Sequence, residues 1–278
     1  MKFQYLGTAA SEGIPAIFCS CENCARSRKI GGRALRTRSQ AIIDDRLLID
    51  FPSDTLAHTF AHNVDLAKVS HCLITHSHSD HLYPADIRNM EFSQSLRESG
   101  YHLTFYGTEP VGEHIKPMLA FRLEAAGMCS FRTIENYEQF EVGPYQVTAL
   151  PAIHDPKAGP VFYQISDGEK TILYGNDTGY FDDSVWEFWA KEKPYFNMVS
   201  LDCTNACLPF RTPRHHMGFE ENVEVRDRMI AEGYTDENTV FVCNHFSHNS
   251  TNVVYDDLVP LANRQGLLVS YDGMVITV

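Results

Sequence analysis

The sequence predicts an α/β fold in which two β-sheets pack face to face and helices cover their outer sides. Three observations predict it. Apolar strand-like runs fall in two β-rich blocks, and helix–strand alternation follows each block. At 278 residues and 44% hydrophobic content the chain can bury a sizeable core. No repeat, low-complexity tract or Gly/Ser-rich or Pro-rich linker interrupts it, so residues 1–278 read as one continuous domain. Periodicity supplies the elements; their stacking does not follow from it alone.

The elements follow in order. "KFQYLGT", "QAIIDD" and "RLLIDFP" read as strands. "PSDTLAHTFAHN" reads as a helix and "VSHCLIT" as a buried strand. "PADIRNMEFSQSLRES" predicts a helix and "HLTFYGT" a strand. "GEHIKPMLAFRLEAAG" predicts a helix with Pro117 near its first turn and Gly127 past its end. The second β block spans "QFEVGPYQVTALPAIH", "GPVFYQISD" and "KTILYGND". Helix "DSVWEFWAKE", strand "FNMVSLDC", helix "ENVEVRDRMIAEG", strand "TVFVCNH", helix "VVYDDLVPLANRQG" and strand "LLVSY" complete the chain.

Composition narrows the function. The net charge of −13 repels a phosphate backbone, which argues against a broad nucleic-acid-binding face. A small anionic substrate stays compatible if metal ions supply local positive charge. The opening "MKFQYLGTAA" lacks the apolar run of a secretory signal, and no stretch approaches the ~18 apolar residues of a membrane span. A cytoplasmic protein is expected. In a reducing compartment its eight cysteines are metal ligands, reactive thiols or packed side chains sooner than disulfides. Cys72, Cys129, Cys203, Cys207 and Cys243 are scattered and read as small packed hydrophobes. Cys19, Cys21 and Cys24 are clustered in "IFCSCENCARS" and offer three of the four ligands that a tetrahedral zinc takes. Free thiols or a strained disulfide are the alternatives for these three.

The strongest chemical signal is "LITHSHSDHLYPAD", which sets His76, His78, Asp80 and His81 just after an apolar strand. An extended backbone through Ser77 would point His76 and His78 to one side, where both can grip one ion. Asp80 and His81 can then serve a second ion beside it. Imidazoles mixed with carboxylate suit zinc, manganese or iron. Further candidates end β-like runs: His154 in "VTALPAIHD", Asp177 in "TILYGNDTG", and His245 and His248 in "TVFVCNHFSH". Strand ends at one sheet edge converge, and open sheets bind ligands there.

The pattern H-x-H-x-D-H at His76–His81 resembles the signature of the metallo-β-lactamase superfamily. The likeness continues through "YLGTAASEGIP", "LLIDFP", "YGNDTG", "NHFSH" and "SYDGMVI". Within that superfamily the chain looks most like the cyclic phosphodiesterases of bacterial phosphonate breakdown, which share an "LGT…G.P" start, C-x-C-x-x-C and a "DGM" strand. The resemblance implies an αββα sandwich of two mixed sheets flanked by helices. It implies a two-metal site with His76, His78 and His154 on one ion, and Asp80, His81 and His245 on the other. Asp177 and a water or hydroxide would bridge them, with Asp80 also orienting that nucleophile. It further implies that His248 joins Cys19, Cys21 and Cys24 around a structural zinc. The general acid would be His216 in "RTPRHHMGFEEN", although His215 occupies the family's middle position and competes for the role. Arg211 and Arg214 are candidate phosphate contacts. Arg26, Arg28 and Lys29 either offset thiolate charge or form a solvated face.

The activity so implied is hydrolysis of a small phosphodiester, cyclic ones included, by a hydroxide activated on two divalent cations. Relatives of the same fold cleave thioesters, β-lactams or the 3′ trailer of tRNA precursors. The tRNA reading wants a basic groove that this acidic chain does not show. The thioester and lactam readings leave the cysteine cluster unexplained. A non-catalytic metal-binding protein is the third alternative, and its decayed members lose ligands that this chain keeps. A homodimer is compatible with the sequence. "NMEFSQSLRESGYHLTFYG" and "AFRLEAAGMCSFRT" either wall the pocket or form a subunit contact.

Overall fold

The computed structural model describes residues 1–120, 123–124, 126–209 and 215–278. Arg211 and Arg214 lie outside the described residues. The strands in chain order are β1 (Lys2–Gly7), β2 (Gln40–Ile43), β3 (Leu47–Ile49), β4 (His71–Leu73), β5 (Leu103–Gly107), β6 (Cys129–Thr133), β7 (Gln139–Val142), β8 (Tyr145–Pro151), β9 (Val161–Ser166), β10 (Thr171–Gly175), β11 (Met198–Asp202), β12 (Val240–Asn244), β13 (Leu267–Val269) and β14 (Val275–Thr277). The helices are α1 (Glu22–Ile30), α2 (Thr55–His62), α3 (Gln94–Ser99), α4 (Glu109–Leu119), α5 (Asp183–Glu192), α6 (Phe219–Ala231) and α7 (Tyr255–Arg264).

The strands form two seven-stranded sheets, ordered β14-β1-β2-β3-β4-β5-β6 and β13-β12-β11-β10-β9-β8-β7. Each sheet is antiparallel in one half and parallel in the other. The parallel runs are β3 to β6 and β10 to β13. The two expected blocks are thus hairpin-linked strands followed by strands joined through crossovers, as parallel pairing requires. β14 pairs antiparallel with β1 and brings the two termini together.

Alternation along single strands explains the stacking. In β3, Leu47 and Ile49 join the core between the sheets while Leu48 joins the outer one. In β10, Ile172 and Tyr174 face inward and Leu173 faces outward. Strands buried on both faces read as unbroken apolar runs, which is how they stand in the sequence. The inner layer holds Phe3, Tyr5, Tyr163 and Tyr174. Trp186 and Trp189 of α5, Val225 and Met229 of α6, and Leu258 of α7 cover the second sheet. Val111, Ile115 and Leu119 of α4 cover Ile74 and Phe105 of the first. Among the described residues, no helix is long and apolar enough to cross a membrane.

The structure departs from the predicted elements in four places. The helix expected over residues 84–99 divides into a 3₁₀ segment, Pro84–Phe92, and α3, because Ser93 is extended and caps Leu96 N–H with its hydroxyl. The helix expected from Gly112 begins at Glu109, so Pro110 fills the first turn and Pro117 the last. A proline at the start lacks a donor that is unpaired there anyway, whereas Pro117 stands inside the helix and removes one of its backbone hydrogen bonds two residues before its end. Helix α1 was not expected. Its N-terminal cap is the Cys21 side chain, which accepts from Cys24 N, and cysteine is not among the residues that announce a cap. Strand β6, also unexpected, carries its buried residue at one end only, a pattern without clean alternation.

Candidate metal centre and active site

The loops that leave β3, β4, β8, β10, β11 and β12 carry the polar residues of the site, and these loops meet at one rim of the sandwich. Three of the residues there, Asp50, Asp177 and His245, have left-handed φ values of 66°, 52° and 62°. Asp, Asn and His are the non-glycine residues that tolerate this region best. Each follows its strand by one or two residues and turns its side chain back over the strand ends.

All seven expected ligands converge. His76 Nε2 stands 3.1 Å from Asp177 Oδ2 and 3.1 Å from His78 Nδ1. His154 Nε2 is 3.1 Å from the same His78 nitrogen. On the other side, His81 Nε2 is 3.1 Å from Asp177 Oδ2, 3.4 Å from Asp80 Oδ2 and 3.3 Å from His245 Nε2. Two groups result, His76–His78–His154–Asp177 and Asp80–His81–Asp177–His245, each with all donor atoms within 4.8 Å of one another. Asp177 belongs to both. His76, His81, Asp177 and His245 are buried.

The donor set fits cations. Nitrogen faces nitrogen at hydrogen-bond distance, although a neutral imidazole donates from one nitrogen only. His154 Nδ1 is buried without a hydrogen-bond partner, 3.5 Å from Asp177 Oδ1, and such a group costs about 1–3 kcal/mol if it stays unpaired. The opposite nitrogens explain the aim. His76 Nδ1 meets Thr75 Oγ1 at 3.0 Å, and that hydroxyl donates to Asp50 Oδ1 at 2.9 Å, so it accepts from His76 and leaves Nε2 bare. His245 Nδ1 meets Thr204 Oγ1 at 2.8 Å, and His81 Nδ1 donates to Asp50 Oδ2 at 2.7 Å. His78 is turned over: Nδ1 points inward and Nε2 lies 3.4 Å from Asp155 Oδ2. Bare nitrogens and carboxylates around two centres suit zinc, manganese or iron. Without cations, charge balances within the cluster. Burial would raise the pKa of Asp177, but His245, His216, His76 and His81 hold it well below the usual carboxylate range. Burial would lower that of His81, but Asp50, Asp80 and Asp177 push it well up.

Asp50, Thr75, Asp155, Asp202 and Thr204 are the polar residues that sequence reasoning passed over. The available signal was position, since Asp50, Asp202 and Thr204 end or follow apolar runs just as the ligands do. Asp202 is fully buried. Its Oδ1 accepts from Thr204 N at 3.0 Å and Met217 N at 2.9 Å, and its Oδ2 lies 3.3 Å from His216 Nδ1. That assigns the two neighbouring histidines different places. His216 turns inward, 3.1 Å from Asp177 Oδ1 and stacked on His245 with ring centroids 5.9 Å apart. His215 is exposed, 6.2 Å from the His154 ring. Burial opposes a charge on His216, yet Asp202 and Asp177 raise its pKa to about 10.

The N-terminal cysteines form a second cluster. Cys19 Sγ and Cys21 Sγ each lie 3.5 Å from His248 Nδ1, and Cys24 Sγ completes a group within 4.8 Å. Ligands of a tetrahedral zinc with bonds of ~2.3 Å to sulfur and ~2.0 Å to nitrogen stand about 3.5 Å apart, so the spacing fits that ion. The Cys24 N–H and His248 pull the Cys21 thiol down to about 6, toward the thiolate that a metal binds. Arg28 donates to the Cys19 carbonyl at 2.7 Å and Arg26 pairs with Asp257 at 2.8 Å, so both bind neighbours other than a sulfur. Cys72, Cys129, Cys203 and Cys243 are buried and Cys207 is half-buried.

A cavity of about 190 Å³ lies over the histidines, lined also by Ala10, Ser11, Glu12, Thr204 and Ser247. The segments 89–107 and 120–133 contribute no described residue to its wall; Leu103, Phe105, Leu123, Met128 and Cys129 from them pack on the outer face of the first sheet.

Comparison with known proteins agrees with this fold. Residues 45–234 match the Beta-lactamase superfamily domain. A new diphosphatase from the PhnP family is 20% identical with a TM-score of 0.73, covering 100% of this chain and 97% of its own. Zn(2+)-bound PqqB from Methylobacterium extorquens is 18% identical with a TM-score of 0.68, covering 100% of both chains. The short form of human tRNase Z is 15% identical with a TM-score of 0.64, covering 100% of this chain and 99% of its own. A comparison with curated proteins finds no match. At these identities the solved structures establish the shared fold, and the domain match establishes the family. The chain belongs to the beta-lactamase superfamily and has the metallo-β-lactamase fold of that superfamily's metal-dependent hydrolases.

Proposed function

We propose that the chain is a metal-dependent phosphodiesterase acting on a small phosphodiester, cyclic ones included. The observation that carries this reading is the half-buried imidazole His216, paired with Asp202 beside a complete two-centre donor set. Thioester and lactam hydrolysis do not account for the cysteine cluster, and the likeness to a diphosphatase supports phosphorus chemistry. His76, His78, His154 and Asp177 would hold one divalent cation, and Asp80, His81, His245 and Asp177 the other. Cys19, Cys21, Cys24 and His248 would hold a structural zinc that ties the N-terminal loop to the His245 loop. When bound, the pair of cations supplies charge neutralisation and a lowered pKa for water.

The chain's own residues do the rest. Burial would raise the pKa of Asp80, but His81 and His245 keep it ionised, so its carboxylate can accept a hydrogen bond from the attacking water and fix its direction. His216 lines the cavity with Nδ1 engaged by acidic partners, which leaves Nε2 to donate. As water adds to phosphorus and the P–O bond breaks, His216 gives its proton to the departing oxygen, and the proton that the attacking water gives up passes through Asp80 to solvent. Asp202 keeps the imidazolium oriented and charged.

The test is metal analysis of the purified chain, with assays on bis-aryl and cyclic phosphodiesters beside a thioester and a lactam. Three ions per chain and phosphodiester turnover are expected. No phosphodiester hydrolysis by the metal-loaded chain would overturn the proposal. An RNA 3′-end nuclease is the second reading, favoured by the likeness to tRNase Z and opposed by the net charge of −13.

A further inference from the structure

Glu12 stands in the wall of the catalytic cavity yet has no part in the donor set. Its position is held from two sides. The backbone comes from the loop after β1, and Oε1 accepts from Ser247 Oγ at 3.2 Å and Asn249 Nδ2 at 2.8 Å, both from the loop after β12. His248 Nε2 lies 3.9 Å away. The carboxylate is 31% exposed, so one side of it is free. Outside the donor set and His216, the other described lining residues are Ala10, Ser11, Thr204 and Ser247, all uncharged. A fixed anion in the wall is unexpected where an anionic substrate must bind, and its effect depends on how much charge that substrate carries.

We propose that Glu12 is a specificity-determining residue that admits the single negative charge of a phosphodiester and disfavours the second charge of a phosphomonoester. The inference rests on the phosphodiesterase reading. Glu12 lines the same cavity of about 190 Å³ as His78, Asp80, His154, Asp177, His216 and His245, so a phosphoryl group held by those residues shares that space with the carboxylate. At an effective dielectric constant near 20, one extra charge about 7–10 Å from the carboxylate is disfavoured by about ten- to fifty-fold. Partial exposure puts the effect at the lower end and makes it depend on salt.

The experiment compares wild type with Glu12→Gln on bis(p-nitrophenyl) phosphate and p-nitrophenyl phosphate. Glutamine keeps an oxygen for Ser247 and Asn249, so the loop contacts survive while the charge goes. The ratio of kcat/KM for diester over monoester should fall about tenfold, mainly by a lower KM for the monoester, and the change should shrink as salt rises. Glu12→Ser should move the ratio in the same direction. A purely structural role would lower both substrates by one factor, and an unchanged ratio in both variants would overturn the inference while leaving the phosphodiesterase reading intact. A wild-type chain that hydrolyses no phosphodiester overturns both.

Discussion

Replacing Asp50 by Asn tests whether His81 is aimed at the metal centre through its far nitrogen. Asp50 is fully buried. Its Oδ1 accepts from Thr75 N at 2.8 Å and Thr75 Oγ1 at 2.9 Å, and its Oδ2 accepts from His81 Nδ1 at 2.7 Å. Asparagine suits the φ of 66° and keeps one oxygen for both Thr75 donors, so the backbone has no reason to move. The other half of the amide is a donor. It pairs with Nδ1 only if that nitrogen gives up its hydrogen, which moves to Nε2 and points at Asp177 and His245. A protonated Nε2 has no lone pair for a cation. Losing such an orienting partner typically costs ten- to a hundredfold in metal affinity, about 1.4–2.7 kcal/mol. Alanine would serve less well, because it leaves Thr75 N–H buried and unpaired and destabilises the fold as well. The assay titrates the metal-free chain with zinc against a chromophoric chelator. Wild type should show two tight active-site ions, and Asp50→Asn should weaken the one that needs His81. If the variant keeps a native circular dichroism spectrum and binds both ions within threefold of wild type, the tautomer argument is wrong.

Other outcomes follow from the same geometry. His216→Asn and Asp202→Asn should slow hydrolysis of alkyl phosphodiesters by about a hundredfold or more, yet p-nitrophenyl esters by less than tenfold, because nitrophenolate departs without a proton. Equal losses on both leaving groups would remove His216 from the acid role. Cys19→Ser and His248→Ala should each lose one zinc per chain by elemental analysis and lower the melting temperature, with two ions retained; three retained ions would refute the Cys₃His assignment. Stability should also depend on pH through His58, which is not among the proposed ligands. Burial lowers its pKa from 6.5 to about 4 against the pull of Asp54, and its Nδ1 meets Gln40 Oε1 at 2.6 Å. A depressed histidine favours the folded state while neutral, so this stability is complete above pH 6.5 and lost as pH falls toward 4. About 3 kcal/mol is at stake, and urea unfolding of His58→Gln should lack that slope.

The seven candidate ligands could be named from the sequence because metal chemistry restricts residue type and because strand ends are readable from apolar runs. His76, His78, Asp80 and His81 announce themselves by density. His154, Asp177 and His245 needed a resemblance to join them, since a single polar residue after a strand has many uses. The burial of Leu47, Leu48 and Ile49 on alternating faces was likewise written in the apolar runs, because a strand with two buried faces leaves few polar positions. Tertiary structure decided the rest. No local pattern says that Asp50 aims His81, that Asp202 selects His216 over His215, or that Glu12 is clasped by a loop 235 residues away. Those roles belong to carboxylates whose partners lie on other strands, and a carboxylate carries no local mark of which neighbour it will face. The sequence by itself determined which side chains can hold a cation. Folding the two sheets into register determined which nitrogen of each ring points at it.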